Sequence, residues 1–426
     1  MRILIVSYES WRETNNGGNV LSNIFESFSD AEFAQVYCSG ELPQNSLCKK
    51  YYQISDLMLL NKTKGIRLEE RDYSIERITS EIVPENNIKN RIPNLFRNAS
   101  LLAREVLWQI FNWKTSDLVA FVKDFNPDII FAPCYSYFHV SQLALYIKHV
   151  ANCPMISYIS DDNYSLNQFN YWPSFIINRL ITRKWIRRLF SESSLIYTMT
   201  ELQKKEYENI FHRPMKILCK SADFRMRNKE IEYPIQFVYA GGLYLNRWKV
   251  LAKLAESIKK INDNQVKAQL HIYSSSLLNK RQMLYLNDGN NIVFHSLISY
   301  YELMEQYRKS DVAVLVESFD RKNRLITRLS FSTKIIDCLN SGCAIMAIGP
   351  ASQAGIAYLR ENNSAICVDN IKKINSAINT IIENNSVISD YAHKAYILGA
   401  KNHNKCVIQE GIKKDFINVL NSVGDY

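Results

Sequence analysis

Short apolar runs alternate along this chain with stretches in which apolar residues return every three or four positions. RILIVS, Arg2–Ser7, reads as a buried strand. A polar loop follows and ends in Asn16, Gly17 and Gly18, after which Val20, Leu21, Ile24, Phe25 and Phe28 recur at helical spacing. Further strands read at residues 128–132, Met155–Ile159 and Leu195–Thr198. Near Tyr233 and Pro234 the pattern restarts. Ile235–Ala240 is a strand, Gly241 and Gly242 follow it, and a helix is predicted over 247–260. Later strands fall at Ala268–Tyr273, 291–294, Val312–Val316, Ala344–Ile348 and 365–368, with helices between them at Tyr300–Lys309 and 333–341.

A β-α-β-α order that runs twice predicts an α/β chain with two Rossmann-like, doubly wound domains. The division falls in 219–233, a charged and mostly non-periodic linker. Residues 1–218 form the first domain and 234–398 the second. From Ser386 the tail reads as two helices, the last of them, 399–426, able to cross back to the first domain.

Composition narrows the classes. Hydrophobic residues are 47% and charged residues 22%, ordinary globular usage that excludes a disordered or collagen-like chain. The longest unbroken apolar run, 343–348, is six residues, far below the roughly 18 of a spanning helix. The start, MRILIVSYESWR, lacks the apolar core of a secretory leader, so a cytoplasmic protein is expected. Nine scattered cysteines without a Cys-x-x-Cys pair suggest neither structural zinc nor a disulfide framework. The net charge of +10 is spread unevenly, +2 on residues 1–218 and +8 on 219–426. An excess of that sign suits an anionic partner such as a nucleotide phosphate, a nucleic acid or an acidic lipid surface, and also plain solubility.

Several positions carry candidate chemistry. Gly17 and Gly18 lie where a glycine turn opens a helix and lets an anion approach backbone N–H groups, although a tight turn alone gives the same pattern. Arg247 and Lys249 stand at the start of the helix after Gly241 and Gly242, where two cations repel the positive helix end unless an anion joins them. In FSTKIIDCLNSG, Ser332 is placed to cap a helix and Gly342 to end it. Thr333 and Lys334 could hold a phosphate there, and Asp337 lies one turn deeper. Arg321, Lys322, Arg324 and Arg328 form a basic loop on the approach. In the first domain, His139 falls in a loop after the strand at 128–132, and Asp161 and Asp162 follow Met155–Ile159. These are carboxyl ends of strands, where open α/β sheets place ligands.

Together these segments resemble the GT-B glycosyltransferases, and among them the retaining, sugar-nucleotide-dependent family 4 type. The likeness covers nearly the whole chain and is strongest over 235–369. NIVFHSLISYYELMEQYRKSDVAVLV is similar to that family's nucleotide-domain stretch, and FSTKIIDCLNSGCAIMAIGP to its donor-binding segment. GGLYLNRWK stands in the place of its basic phosphate-gripping element. The resemblance implies a GT-B fold, two Rossmann-like domains facing across a cleft. It implies that Arg247 and Lys249 grip the donor diphosphate with help from Ser332, Thr333 and Lys334, and that Asp337 holds the ribose. Gly17 and Gly18 would face donor phosphate and acceptor, and His139 would lie near the transferring sugar. Glu317, which opens Glu317-Ser318-Phe319, would orient that sugar. The sequence departs from the family pattern in having Asp337 in place of glutamate, twenty residues after Glu317, and Ala344 in place of proline.

A sugar transferase of this kind stabilises a departing nucleoside diphosphate with cations and a helix start, so neither a cofactor nor an essential metal is expected. Retention needs no strong base, since the leaving phosphate can take the acceptor proton. With inversion, Asp161, Asp162 or Glu9 would be the base. The acceptor would be a saccharide or a lipid-linked oligosaccharide, and the Asn-, Ile-, Lys- and Tyr-rich composition suggests bacterial surface polysaccharide assembly. A GT-B relative, such as a sugar-nucleotide epimerase or a phosphorylase, is the enzymatic alternative. A nucleotide- or nucleic-acid-binding module is the non-enzymatic one, with nucleic acid disfavoured because the basic residues fall at helix starts. Finally, SFIINRLITRKWIRRLF (174–190) has five basic residues and no acid. A stripe of Arg179, Arg183 and Arg187 beside Ile186 and Phe190 suits an anionic headgroup region, with Ile177, Ile181 and Trp185 packing on the domain. Residues 92–113, with Trp108 and Trp113, would add apolar area. Peripheral attachment to the inner face of the cell membrane follows as an expectation.

Overall fold

The apolar runs become strands because each is buried on both faces, as parallel sheets covered by helices require. Ile3, Leu4, Ile5 and Val6 are all fully buried. The computed structural model describes residues 1–14, 16–69, 94–168, 172–226 and 230–422. Residues 92 and 93 of the apolar stretch, 227–229 of the linker and 423–426 of the tail lie outside them. The chain divides into two units, Met1–Leu218 with Ile408–Tyr426, and Cys219–Val407.

The first unit's sheet contains β1 (Arg2–Ser7), β2 (Glu32–Tyr37), β3 (Lys50–Gln53), β4 (Ile66–Glu69), β5 (Ile129–Pro133), β6 (Met155–Ile159), β7 (Leu195–Thr198) and β8 (Lys216–Ile217). Their order is β4-β3-β2-β1-β5-β6-β7-β8. All pairings are parallel except β3 with β4. The helix Lys405–Asn421 closes this unit. Its Phe416 meets Phe25, Phe28 and Phe131 at ring distances of 5.8, 5.5 and 6.2 Å. Its Asp415 accepts the Tyr197 hydroxyl at 2.7 Å.

The second unit's sheet contains β9 (Ile235–Ala240), β10 (Ala268–Tyr273), β11 (Ile292–His295), β12 (Val312–Val316), β13 (Ala344–Ile348) and β14 (Ile366–Val368), all parallel, in the order β11-β10-β9-β12-β13-β14. In each sheet the strand order reverses once, between β1 and β5 and between β9 and β12. Such switch points are where open α/β sheets bind ligands.

The predicted strands are present to within a residue or two. Strands β2, β3, β4 and β8 and the helices Asn94–Ile110 and Ser116–Phe125 had no counterpart in the sequence reading. The break between Asn402 and Lys405 divides the tail helices later than the predicted residue 399.

Candidate functional site

A buried charged cluster of the second unit lies at the β9/β12 switch point. Gly241 has φ +156°, and a Cβ there would sit 1.9 Å from Lys334 Nζ, so a side chain at this position would displace that ammonium. The loop then passes through Leu245 (φ +56°) and Asn246 (φ +60°), two left-handed residues that are not glycine. Asn323 Nδ2 donates to the Leu245 carbonyl at 2.9 Å, and the Asn246 amide donates to Asp320. This held turn delivers Arg247, the first residue of the helix Arg247–Ile261. Its buried guanidinium forms a bidentate pair with Glu317, just after β12: Nη2 reaches Oε1 at 2.9 Å and Oε2 at 3.0 Å, and Nε reaches Oε2 at 3.3 Å.

Burial raises the pKa of Glu317, and Arg247 opposes that shift. Lys334 is pulled down to about 8, first by burial and then by Arg247, with Glu317 partly offsetting. Two cations thus share one carboxylate. Among the described residues no ion pair holds the Lys334 ammonium. The cluster has an unbalanced positive charge, which an anion would complete.

Asp337 lies in the first turn of the short helix Lys334–Leu339, yet its carboxylate is already engaged. Lys220 Nζ donates to Oδ1 at 2.8 Å and the Tyr300 hydroxyl reaches the same oxygen at 3.4 Å. Lys220 also lies 4.9 Å from the Tyr300 ring centre. Burial and Asp337 both push the Tyr300 phenol upward. Lys220, in the linker, has no motif around it and was not anticipated.

Other expectations change. The helix after Ser332 is only Lys334–Leu339, and Thr333 caps it without a side-chain hydrogen bond. Ser332 is therefore not the cap, and Gly342 (φ +74°) lies two residues beyond the C-cap Asn340. A helix shorter than two turns offers little dipole for phosphate. Lys249 is exposed while Arg247 is buried, because two residues along a helix is about 200° around it. The structure does not place Lys249 with Arg247 and Lys334. Arg321, Lys322 and Arg324 are exposed on a helix, Arg321–Ile326, rather than in a loop, and Arg328 is half-buried.

In the first unit, Gly17 and Gly18 open the helix Asn16–Phe25. A Cβ on Gly18 would meet the Arg12 carbonyl oxygen at 2.0 Å, so close approach of the chain's own backbone explains this glycine. His139 is the second residue of the helix Phe138–Ala151, not part of a loop. It is fully buried, and its Nδ1 lies 2.9 Å from Glu105 Oε1. Asp162 is buried and structural: it accepts the Ser165 N–H at 2.8 Å and the Tyr207 hydroxyl at 3.0 Å. Asp161 and Glu9 are exposed, and the backbone carbonyl of each accepts a glutamine amide.

The basic helix Pro173–Ser191 is turned differently from the predicted wheel. Arg179 is buried, donating to the Asp162 carbonyl at 3.2 Å and to Gln168 at 2.8 Å. Arg183 donates to the Tyr164 carbonyl at 3.0 Å and lies 4.2 Å from that ring's centre. The outward residues are Trp172, Ile176, Ile177 and Leu180, followed by Lys184, Arg187 and Arg188. Among the described residues, no helix is long and apolar enough to cross a membrane, and no group of three His, Cys, Asp or Glu side chains is placed to hold a metal.

No family model and no curated protein sequence matches this chain. Solved structures do match by shape. HepE from Anabaena, in complex with UDP and glucose, superposes with a TM-score of 0.62 at 12% identity, covering 98% of this chain and 100% of that one. Sucrose-phosphate synthase from Thermosynechococcus elongatus gives 0.63 at 11% identity over 99% and 100%. S. aureus TarM in complex with Fondaparinux, alpha-GlcNAc-glycerol and UDP gives 0.53 at 14% identity over 75% and 59%. These neighbours are GT-B glycosyltransferases, and the fold of this chain is GT-B.

Proposed function

We propose that this protein is a glycosyltransferase that moves a sugar from a nucleoside-diphosphate sugar to a saccharide or lipid-linked acceptor. The observation that carries the reading is the cluster of Arg247, Lys334 and Glu317 around the Gly241 turn. In this reading Arg247 and Lys334 take the donor diphosphate and stabilise the charge that develops on it as the glycosidic bond breaks. Fixed cations do this without a metal, so EDTA is expected to leave turnover unchanged. Glu317, freed in part by the diphosphate's claim on Arg247, accepts a hydroxyl of the sugar. The carboxylate of Asp337 accepts from the ribose through its second oxygen, Lys220 holding the first. UDP in the HepE and TarM complexes favours a uridine donor.

A retaining course fits the commitment of Asp162 to Ser165 and Tyr207, since with retention the leaving phosphate receives the acceptor proton. The test is a thermal-shift screen with UDP, GDP and their sugars, followed by NMR of the product anomer. Stabilisation by one nucleoside diphosphate and an axial product linkage from an axial donor are expected. The reading fails if no nucleoside diphosphate shifts the transition, and conversion of the sugar nucleotide without transfer would instead indicate an epimerase.

The outward face of the helix Pro173–Ser191 supports peripheral attachment near a lipid-linked acceptor, in bacterial surface polysaccharide assembly. Its apolar half, Trp172 to Leu180, would enter the headgroup boundary, and Lys184, Arg187 and Arg188 would meet anionic phosphates at about 1 kcal/mol each. Vesicles with anionic phosphatidylglycerol should pellet the protein at low salt. Replacing Ile176, Ile177 and Leu180 with Ser should release it. Equal pelleting of that variant removes this helix as the anchor.

A further inference from the structure

Within the first unit, a buried carboxylate meets a buried imidazole. Glu105, in the helix Asn94–Ile110, and His139 are both fully buried. The Glu105 carboxylate accepts twice from one residue: Oε2 from the His139 backbone N–H at 3.0 Å, and Oε1 from ring Nδ1 at 2.9 Å. Trp108, one turn beyond Glu105, stacks on the imidazole at 4.2 Å and 15°. Trp108 is itself tied, its indole N–H donating to Asp56 at 2.8 Å. Tyr8 and Tyr137 lie against the ring at 6.2 and 5.9 Å. The imidazole is thus fixed in position and in rotation. Its other nitrogen, Nε2, is buried and has no hydrogen-bond partner among the described residues. Buried polar atoms are rarely left unmade, and one held so firmly implies a missing partner. The location, next to β5 at the β1/β5 switch point, is where a ligand belongs.

We propose that Glu105 is a positioning residue that fixes the hydrogen-bond polarity of His139. A carboxylate has no proton to give, so in the neutral ring the proton must be on Nδ1, and Nε2 presents a lone pair. The partner it lacks is a donor, and the class that fits is a hydroxyl of the bound sugar. Under the glycosyltransferase reading, on which this inference rests, His139 thereby selects a hydroxyl over a group that only accepts, such as fluorine. Glu105→Gln is close to isosteric but reverses the logic. Its carbonyl oxygen can satisfy the His139 N–H, leaving its NH2 to donate to Nδ1, which moves the ring proton to Nε2.

The experiment has two arms. The first needs no ligand: 15N NMR of histidine-labelled protein, with the His139 signals assigned by loss in His139→Gln. The wild type is expected to show the Nδ1–H tautomer and Glu105→Gln the Nε2–H tautomer. An Nε2–H or doubly protonated ring in the wild type, or an unchanged ring in a folded Glu105→Gln, overturns the proposal. If Glu105→Gln does not fold, the wild-type spectrum alone decides. The second arm uses the nucleoside-diphosphate hexose with the highest turnover and its deoxyfluoro analogues. Glu105→Gln should lose kcat/KM for the hydroxyl donor on the order of tenfold to a hundredfold and narrow the preference for hydroxyl over fluorine at one ring position. Equal loss for all analogues means a structural role only and overturns the selectivity. Absence of turnover with every nucleotide sugar defeats the glycosyltransferase reading, while the tautomer result stands or falls on its own.

Discussion

Lys334 is the side chain whose charge state is most sensitive to what occupies the site. Its pKa in the folded chain is about 8 because it is buried beside Arg247, against about 10.4 for an unfolded lysine. A cation with a depressed pKa disfavours the folded state at low pH. Between pH 8 and 10 the folded chain loses this proton while the unfolded chain keeps it, so the ligand-free protein should gain stability there as pH rises. Diphosphate binding has the opposite sign, because the anion needs the ammonium. Nucleoside diphosphate affinity should therefore fall as pH rises above about 8, and the fall should flatten in Lys334→Gln. A pH-independent affinity in the wild type would remove Lys334 from the phosphate site. Arg247→Ala should cost about 1–3 kcal/mol of the same binding, more than Lys249→Ala, since Lys249 is exposed. Gly18→Ala tests packing rather than binding. With the Arg12 carbonyl 2.0 Å from the added Cβ, the variant should unfold at lower denaturant by about 1–3 kcal/mol, measured by urea titration.

The turn from Gly241 to Arg247 is the element on which the donor cluster depends. Two consecutive left-handed residues, Leu245 and Asn246, are held by Asn323, in the helix Arg321–Ile326, and by Asp320, the residue before it. Asn323→Leu should free the turn, lowering stability by about 1–3 kcal/mol for the lost buried hydrogen bonds and weakening nucleoside diphosphate binding without touching a ligand-binding atom. Unchanged binding in calorimetry would show that Arg247 is placed by its helix alone. This element also marks how far the sequence could be read. An apolar six-residue strand followed by two glycines and a cation is a local pattern, so β9, its turn and Arg247 were legible. Glu317 came only through the likeness of Glu317-Ser318-Phe319 to a family motif, and its pair with Arg247, 70 residues away, was not legible. Nor were Glu105 and Lys220, because their partners are 34 and 117 residues away and a pairing across such distances leaves no periodicity. The strand β3, KYYQ, escaped because it is short. Arg179 misled because a charge was read as a surface group, whereas here a carbonyl and an amide satisfy it in the interior.

At the scale of the whole molecule, the two units are chemically separable even though the chain returns to the first after passing through the second. Arg247, Lys334, Glu317, Asp337 and Lys220 all fall within Cys219–Val407. The returning helix, from Ile408 on, belongs to the first unit. Its Phe416 is fully buried among Phe25, Phe28 and Phe131, and Gln409 donates to the Asn23 carbonyl at 2.8 Å. Truncating an aromatic ring in such a place leaves a cavity that costs about 3–5 kcal/mol. Phe416→Ala should therefore lower the stability of the first unit by that amount. It should leave nucleoside diphosphate affinity within about twofold, since residues of different units without shared partners add independently. Circular dichroism in urea reads the first effect and calorimetry below the transition reads the second. The two-unit account would be wrong if Phe416→Ala weakened nucleotide binding tenfold while the chain remained folded, for then the C-terminal helix would be shaping the donor site as well as closing the first sheet.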